Sequence, residues 1–305
     1  MSSINLSAVS QDVSDAPFAA SAATSALPPS SSLARDSNST VRPTNTASGP
    51  SASDVTATVL TCPSPNPTPV TVSLSISAPT SASESGGHGN THTGLRPRGT
   101  FVTAKTGPTS QQCTVQPNTQ GVGSCTVPYF PDFRTFANTS GQVIDTGLAG
   151  IETVTATAAG FPAAVTKISA AVPGLQALPT HLNYVLVGSP VSGDPCGSAT
   201  LDHAGVTQLH QTIVDIANAV RNATGGLIRV NDMSLVSGGT FDFENTWRPP
   251  HFGHRRGREV DLGFRGVTTG GACLNFNVTQ LRNLIRQVTG VFPGVEADHY
   301  HVRVP

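Results

Sequence analysis

The chain has 305 residues, with 17 lysines and arginines against 18 aspartates and glutamates and a formal net charge of -1. That balance excludes a polyanion-binding face built on bulk charge, so nucleic acid is not an expected partner, and no run approaches the roughly 20 apolar residues of a membrane-crossing helix. Charged residues make up only 11% and aromatics 5%, against 37% hydrophobic residues, which fits weakly charged β-structure and an exported protein better than a cytosolic enzyme.

Residues 1–53 are rich in Ser, Ala, Thr and Pro, with almost no large apolar residue after Phe18. Such a segment buries too little surface to offset its ordering entropy, so a disordered leader is expected. Met1 to Pro50 contains no apolar run of signal-peptide length. From residue 54 to 172 the texture changes. Val55 to Leu60, Val70 to Ile76 and Glu152 to Ala158 alternate apolar with small polar residues, the period-two signal of half-buried strands, and Gly, Pro, Asn and Ser clusters separate them. Residues 147–158, Gly-Leu-Ala-Gly-Ile-Glu-Thr-Val-Thr-Ala-Thr-Ala, resemble the closing strand of bacterial immunoglobulin-like domains. An all-β immunoglobulin-like sandwich over 54–172 is the resulting expectation.

Five cysteines are present. Cys113 and Cys125 flank a short polar segment that suits a hairpin disulfide, Cys196 and Cys273 can pair further on, and Cys62 is left over. Such bridges imply an oxidising compartment, so the expected location is secreted, periplasmic or at the cell surface.

Residues 173–305 read as a separate α+β domain on an antiparallel sheet. Leu182 to Val187 and Leu227 to Val230 are short strand candidates. Between them, Val206 to Asn222 carries apolar residues three and four apart, an amphipathic helix stopped by Gly225 and Gly226. Asn277 to Thr289 predicts a second helix with Asn277 as N-cap.

Two short stretches hold four of the nine histidines and carry the chemistry. The first runs from Pro250 through His251 and His254 to Asp261, and the second from Glu296 to Val304. Glu259 to Phe264 reads as a strand with Val260 and Leu262 facing the core, which turns Glu259 and Asp261 to the opposite face. In the terminal segment Tyr300, Val302 and Val304 share one face while His299, His301 and Arg303 share the other. If the two strands are neighbours, Asp261 and His301 converge, and the loop preceding Gly257 can bring His254 over them. Two imidazoles and one carboxylate with a fourth position left to water is the ligand set of a catalytic zinc ion.

His-x6-Asp followed by a terminal His-x-His resembles the zinc peptidases that act on bacterial peptidoglycan. That group includes the penicillin-insensitive murein endopeptidases and the D-alanyl-D-alanine carboxypeptidases and dipeptidases, and the zinc-binding fold of the Hedgehog signalling domain is related. The resemblance covers roughly residues 175–305 and implies His254, Asp261 and His301 as ligands of Zn2+. The additional His251 and the ending Asp-His-Tyr-His-Val-Arg-Val are most similar to the murein endopeptidase branch. The resemblance implies metal-assisted amide hydrolysis of peptidoglycan or another peptide substrate.

For proton transfer, His299 is the first candidate, two residues and about 6.5 Å along the strand from a ligand. Asp298 is the second, at the place where dipeptidase-like members carry a glutamate; Glu296 and His251 stay open. Trp247, His251 and Arg258 are candidate substrate-binding residues. The alternative function is a catalytically idle, zinc-binding surface or adhesion protein in which the immunoglobulin-like module does the work. No feature of the sequence specifies an oligomeric state.

Overall fold

The computed structural model describes residues 3–11, 39–41, 45–46, 49–50, 52–81, 84–86, 95–104, 106–132, 134–137, 143–186, 202–240 and 254–304. The chain divides into two compact units, one before and one after the Pro173–Gly174 junction.

The first unit contains β1 (Ser3–Gln11), β2 (Ala52–Leu60), β3 (Val70–Ser77), β4 (Thr100–Phe101), β5 (Ser110–Val115), β6 (Val122–Phe130), β7 (Gly150–Thr157) and β8 (Ala164–Ala170). One sheet has the order β1-β2-β6-β4; the other has β8-β7-β3-β5, with Ser39–Val41 added in parallel beside β8. Both contribute to one core, in which Val55, Ala57, Val59 and Tyr129 of the first sheet meet Val72, Leu74, Val154 and Ile168 of the second. Burial alternates residue by residue along β2 and β7, as the period-two pattern requires.

The expected disordered leader is corrected at its start. Ser3–Gln11 is an edge strand paired with β2, with Ile4 opposite Val59, Leu6 opposite Ala57 and Ala8 opposite Val55. The physical reason is in the residues: Ile4, Leu6 and Ala8 alternate with Asn5 and Ser7, and all three are buried. Composition averaged over the Ser-rich segment hides that short period. The expected disulfide Cys113–Cys125 forms, but its setting is not the expected hairpin. β5 and β6 are consecutive but lie in different sheets, so the bond ties the two layers together instead of closing a hairpin. Cys62 is a free, exposed thiol. Cys273 is disulfide-bonded, whereas Cys196 lies outside the described residues.

A carboxyl group sits inside this first core. Glu152 is on the inward face of β7, where its carboxylate accepts hydrogen bonds from the Gly99 N–H at 3.0 Å and the Tyr129 O–H at 2.9 Å. A Cβ at position 99 would lie 2.4 Å from the Tyr129 ring and 2.6 Å from the Phe130 carbonyl oxygen, so any side chain there would force the ring or the backbone to shift. Burial pushes the Glu152 carboxyl up from 4.5 to about 7, against the lowering by its two donors and Arg96. A folded-state value above the unfolded one means that the contribution is fully present below about pH 4.5 and lost as pH rises through 7. The stability of this unit should therefore fall between pH 5 and pH 8, by at most on the order of 3 kcal/mol, and its thermal midpoint with it. Glu152→Gln should flatten that fall in thermal melts monitored by circular dichroism.

The second unit holds β9 (Tyr184–Leu186), α1 (Thr207–Thr224), β10 (Leu227–Val230), β11 (Glu259–Val267), β12 (Cys273–Asn275), α2 (Val278–Thr289), β13 (Gly294–Val295) and β14 (His299–Arg303). The sheet order is β9-β10-β11-β14-β13, with β12 pairing the far end of β11. Leu209, Ile213, Ile216, Ala217 and Val220 of α1 and Leu281 and Ile285 of α2 pack into a core with Val260, Leu262, Tyr300 and Val302 of the central strands and Val304 just after β14. α1 stops at Gly225 in the left-handed conformation, and the Asn277 side chain caps α2 by accepting from the Gln280 N–H at 3.0 Å.

The expected antiparallel sheet holds except at one edge. β9 and β10 are parallel, with α1 as the crossover between them, because parallel neighbours need a long connection and a helix supplies it. Leu182, placed in the first strand by its apolar character, precedes β9 and is exposed. Among the described residues, no helix is long and apolar enough to cross a membrane.

Candidate metal centre

The ladder between β11 and β14 sets the site. Asp261 pairs directly with His301, Leu262 with Tyr300 and Glu259 with Arg303. Directly opposed residues share a face, so Asp261 and His301 point the same way while Val260, Leu262, Tyr300 and Val302 fill the core on the other side. On its other edge the backbone of Asp261 is held by two 2.8 Å bonds, its N–H donating to the Asp232 carbonyl and its carbonyl accepting from Asn231. These follow a register shift between Ile228 and Val230.

His254 arrives from the single 3-10 turn His254–Arg256 and is fully buried. The turn depends on Gly257, whose φ of 63° suits glycine. The Gly257 N–H donates to the His254 carbonyl, and its own carbonyl accepts from Val206 at the start of α1. A Cβ at Gly257 would also lie 2.2 Å from the Leu175 side chain. The loop is thereby pinned to the helix, and the imidazole of His254 reaches Asp261 with Nε2 3.2 Å from Oδ2.

Around that carboxylate the other groups close in. His301 Nδ1 is 2.8 Å from Asp261 Oδ1, and His301 Nε2 is 2.9 Å from Glu259 Oε2. His299 Nε2 lies 3.3 Å from Asp261 Oδ2 and 3.3 Å from Glu296 Oε2, with its Nδ1 2.8 Å from Asp298 Oδ1. Asp261 is only 1% exposed. Burial would raise its carboxyl, but the hydrogen bonds and charges of His254, His301 and His299 hold it well below the usual carboxylate range. Burial would likewise lower the His301 imidazole; Asp261 and Glu259 outweigh that and raise it to about 10.

His254, Asp261 and His301 each offer one ligand atom, all within 4.8 Å of one another. Asp261 Oδ2 and His299 Nε2 are buried and face each other at 3.3 Å without the geometry of a hydrogen bond between them. Buried polar atoms seldom stay unsatisfied, and a cation between such donors would satisfy them. The 3.2 Å separation of His254 Nε2 and Asp261 Oδ2 also fits two ligands of one small ion, since bonds near 2 Å at a tetrahedral angle put ligand atoms about 3.3 Å apart. The residues present therefore fit a metal ion.

The remaining expected site residues are placed differently. Asp298 is 85% exposed and bonds to the His299 ring, so it meets the cluster through that imidazole. Arg258 is half-buried at the mouth of β11, its carbonyl accepting from Val304. His251 and Trp247 lie outside the described residues. Three neighbours of the cluster carry no role in the motif taken alone. Glu259 was placed on the same face as Asp261 by strand alternation, which was the signal that could have found it. Asp202 and Asp232 lie far apart in the chain and form a hydrogen-bonded acid pair. Burial raises both carboxyls, and their mutual contact raises Asp232 further.

No family model matches the chain, and no curated protein matches it in sequence.

A metal ion titrated into chelator-treated protein should bind at one equivalent and raise the unfolding temperature of the second unit, because it binds the folded state alone. Asp261→Asn and His301→Ala should each weaken binding by more than the roughly 10- to 100-fold that an outer partner is worth. Isothermal titration calorimetry with zinc as the probe checks both expectations.

Proposed function

We propose that the second unit is a zinc-dependent hydrolase of amide bonds in bacterial cell-wall peptides, of the peptidoglycan endopeptidase or carboxypeptidase type. The observation that carries this reading is the convergence of His254, Asp261 and His301 with His299 beside them. A two-imidazole, one-carboxylate set with no thiolate is the composition of catalytic rather than structural zinc sites.

Bound there, zinc would supply Lewis acidity and a water whose pKa is lowered to about 7. The chain's own residues supply the proton handling. The Asp298 carboxylate can only accept, so the 2.8 Å contact assigns the proton of His299 to Nδ1. Nε2 then keeps its lone pair on the side of Asp261, where it takes the proton of an attacking water and returns it to the leaving amine nitrogen. Asp298 thus acts through His299, fixing its tautomer and orientation. Glu296, 3.3 Å from the same Nε2, stabilises the imidazolium that forms.

The first unit supports an immunoglobulin-like reading. In chain order its sheets join strands one, two, six and four, and eight, seven, three and five, a Greek-key arrangement of two packed layers. We take it as the module that holds the hydrolase at its polymeric substrate. The disulfide between its layers supports a secreted, periplasmic or cell-surface location.

One observation favours the second reading, a catalytically idle metal-binding surface protein. His299 Nε2 is as near to Asp261 Oδ2 as His254 Nε2 is, so it has the reach of a fourth ligand, and a closed site is structural.

His299→Ala separates the two readings. As a proton-transfer residue it should cost roughly 100- to 10,000-fold in turnover with zinc affinity intact. As a ligand it should take zinc affinity down with it. The assay is incubation with peptidoglycan, with and without chelator, the products being read by mass spectrometry. Absence of any cut amide bond after zinc is restored, with His301→Ala indistinguishable from wild type, would remove the hydrolase reading.

A further inference from the structure

His301 is flanked by two carboxylates, one on each ring nitrogen: Asp261 Oδ1 at 2.8 Å from Nδ1 and Glu259 Oε2 at 2.9 Å from Nε2. Only one nitrogen can serve a metal ion, so one of these contacts belongs to the ion's side and the other to the support behind it. The surroundings decide which. Asp261 is the carboxylate that His254 and His299 also approach, at 3.2 and 3.3 Å. Glu259 stands away from that focus. It is opposite Arg303 in the ladder, is nearly as buried as Asp261, and has its second oxygen 3.4 Å from the Arg303 guanidinium.

We infer that Glu259 is the positioning residue of His301, holding the Nε2–H so that Nδ1 is the nitrogen presented to the metal. This rests on the metal-site reading above and extends it outward by one layer, from Asp261 through His301 and Glu259 to Arg303. The imidazole is neutral when it binds a metal, with one nitrogen carrying the hydrogen and the other the lone pair. Glu259 Oε2 can only accept, so it selects the tautomer protonated at Nε2 and leaves the Nδ1 lone pair facing Asp261 and His254. The buried carboxylate in turn needs a partner for its other oxygen, and Arg303, anchored next but one to His301 on the same strand, provides it. A carboxylate behind a ligand imidazole also raises the basicity of the bound nitrogen, so its loss weakens the metal without removing a ligand.

The test uses the full chain in three variants, Glu259→Ala, Glu259→Gln and Asp261→Ala, with zinc affinity measured by chelator competition. The visible spectrum of the cobalt-loaded protein is recorded alongside. Glu259→Ala should bind zinc roughly 10- to 100-fold more weakly and shift the cobalt bands. Glu259→Gln, whose amide oxygen still accepts from Nε2–H without the charge, should lose about 3- to 10-fold, and it reports even where the alanine variant fails to fold. In nitrogen-labelled, zinc-loaded wild type, NMR should find His301 protonated at Nε2 and metal-bound at Nδ1. Wild-type affinity and cobalt bands in both Glu259 variants, or metal on Nε2, would overturn the assignment while leaving the ligand set intact. Retention of zinc by Asp261→Ala would instead overturn the ligand set itself. None of these readouts depends on the protein turning over a substrate.

Discussion

Between β11 and β14 the chain pairs Asp261 with His301, and side chains alternate along both strands, so a slip of one residue would send the two to opposite faces. What prevents the slip is on the far side of the sheet. Val260, Leu262, Tyr300 and Val302 are buried against α1 and α2, and moving the register would expose all four. Each such side chain is worth about 1.5–3 kcal/mol of burial, so the core fixes the register far more firmly than any contact in the site does. The helices therefore position the ligands through the core face of the same strands.

That arrangement places a carboxylate where it is expensive to keep. Asp261 is almost wholly buried, and an isolated charge there would cost several kcal/mol. Three imidazoles around it remove the cost by offering positive charge or proton donors, which is why its carboxyl stays ionised so far below the usual range. The same imidazoles have to give up protons to act as ligands, so protons and a metal ion compete for one set of atoms. A site built this way is compatible with the folded chain in either form, because the buried negative charge always has a positive neighbour.

Much of the second unit could be read from the sequence because its signals are local and periodic. The stripes of α1 and α2, the cap at Asn277, the stop at Gly225 and the opposite faces of β11 and β14 all follow from spacing within a dozen residues. The convergence of Asp261 with His301 needed one further assumption, that the two strands are neighbours, and the ladder meets it. What was not legible depended on tertiary context. Ser3–Gln11 becomes a strand because β2 offers it an edge, and its Ser-rich composition points the other way. Cys113 and Cys125 read as a hairpin because sequence distance does not reveal that the chain changes sheets between them. The parallel pairing of β9 with β10 is set by the crossover helix and leaves no mark in either three- or four-residue strand. Glu152 belongs to an alternating stretch of sequence, yet its place among Val154 and Ala156 on the inner face takes a Tyr129 hydroxyl and a bare Gly99 to explain.

The acid pair Asp202 and Asp232 bears on why one carboxylate of this face is ionised and others are not. Asp232 lies beside the Asp261 backbone, its carbonyl accepting from the Asp261 N–H, and its carboxyl feels the Asp261 charge. If Asp202, Asp232 and Asp261 were all ionised, three negative charges would share a poorly solvated space. Environment divides the roles instead. Asp202 and Asp232 face each other, so burial and mutual repulsion favour a proton held between them. Asp261 faces the imidazoles and is driven the opposite way. Carboxyls pushed apart in this manner are how a single site obtains both a neutral acid and a permanent anion. The raised carboxyls of Asp202 and Asp232 favour less negative charge beside Asp261, whose carboxylate is the focus on which His254, His299 and His301 converge.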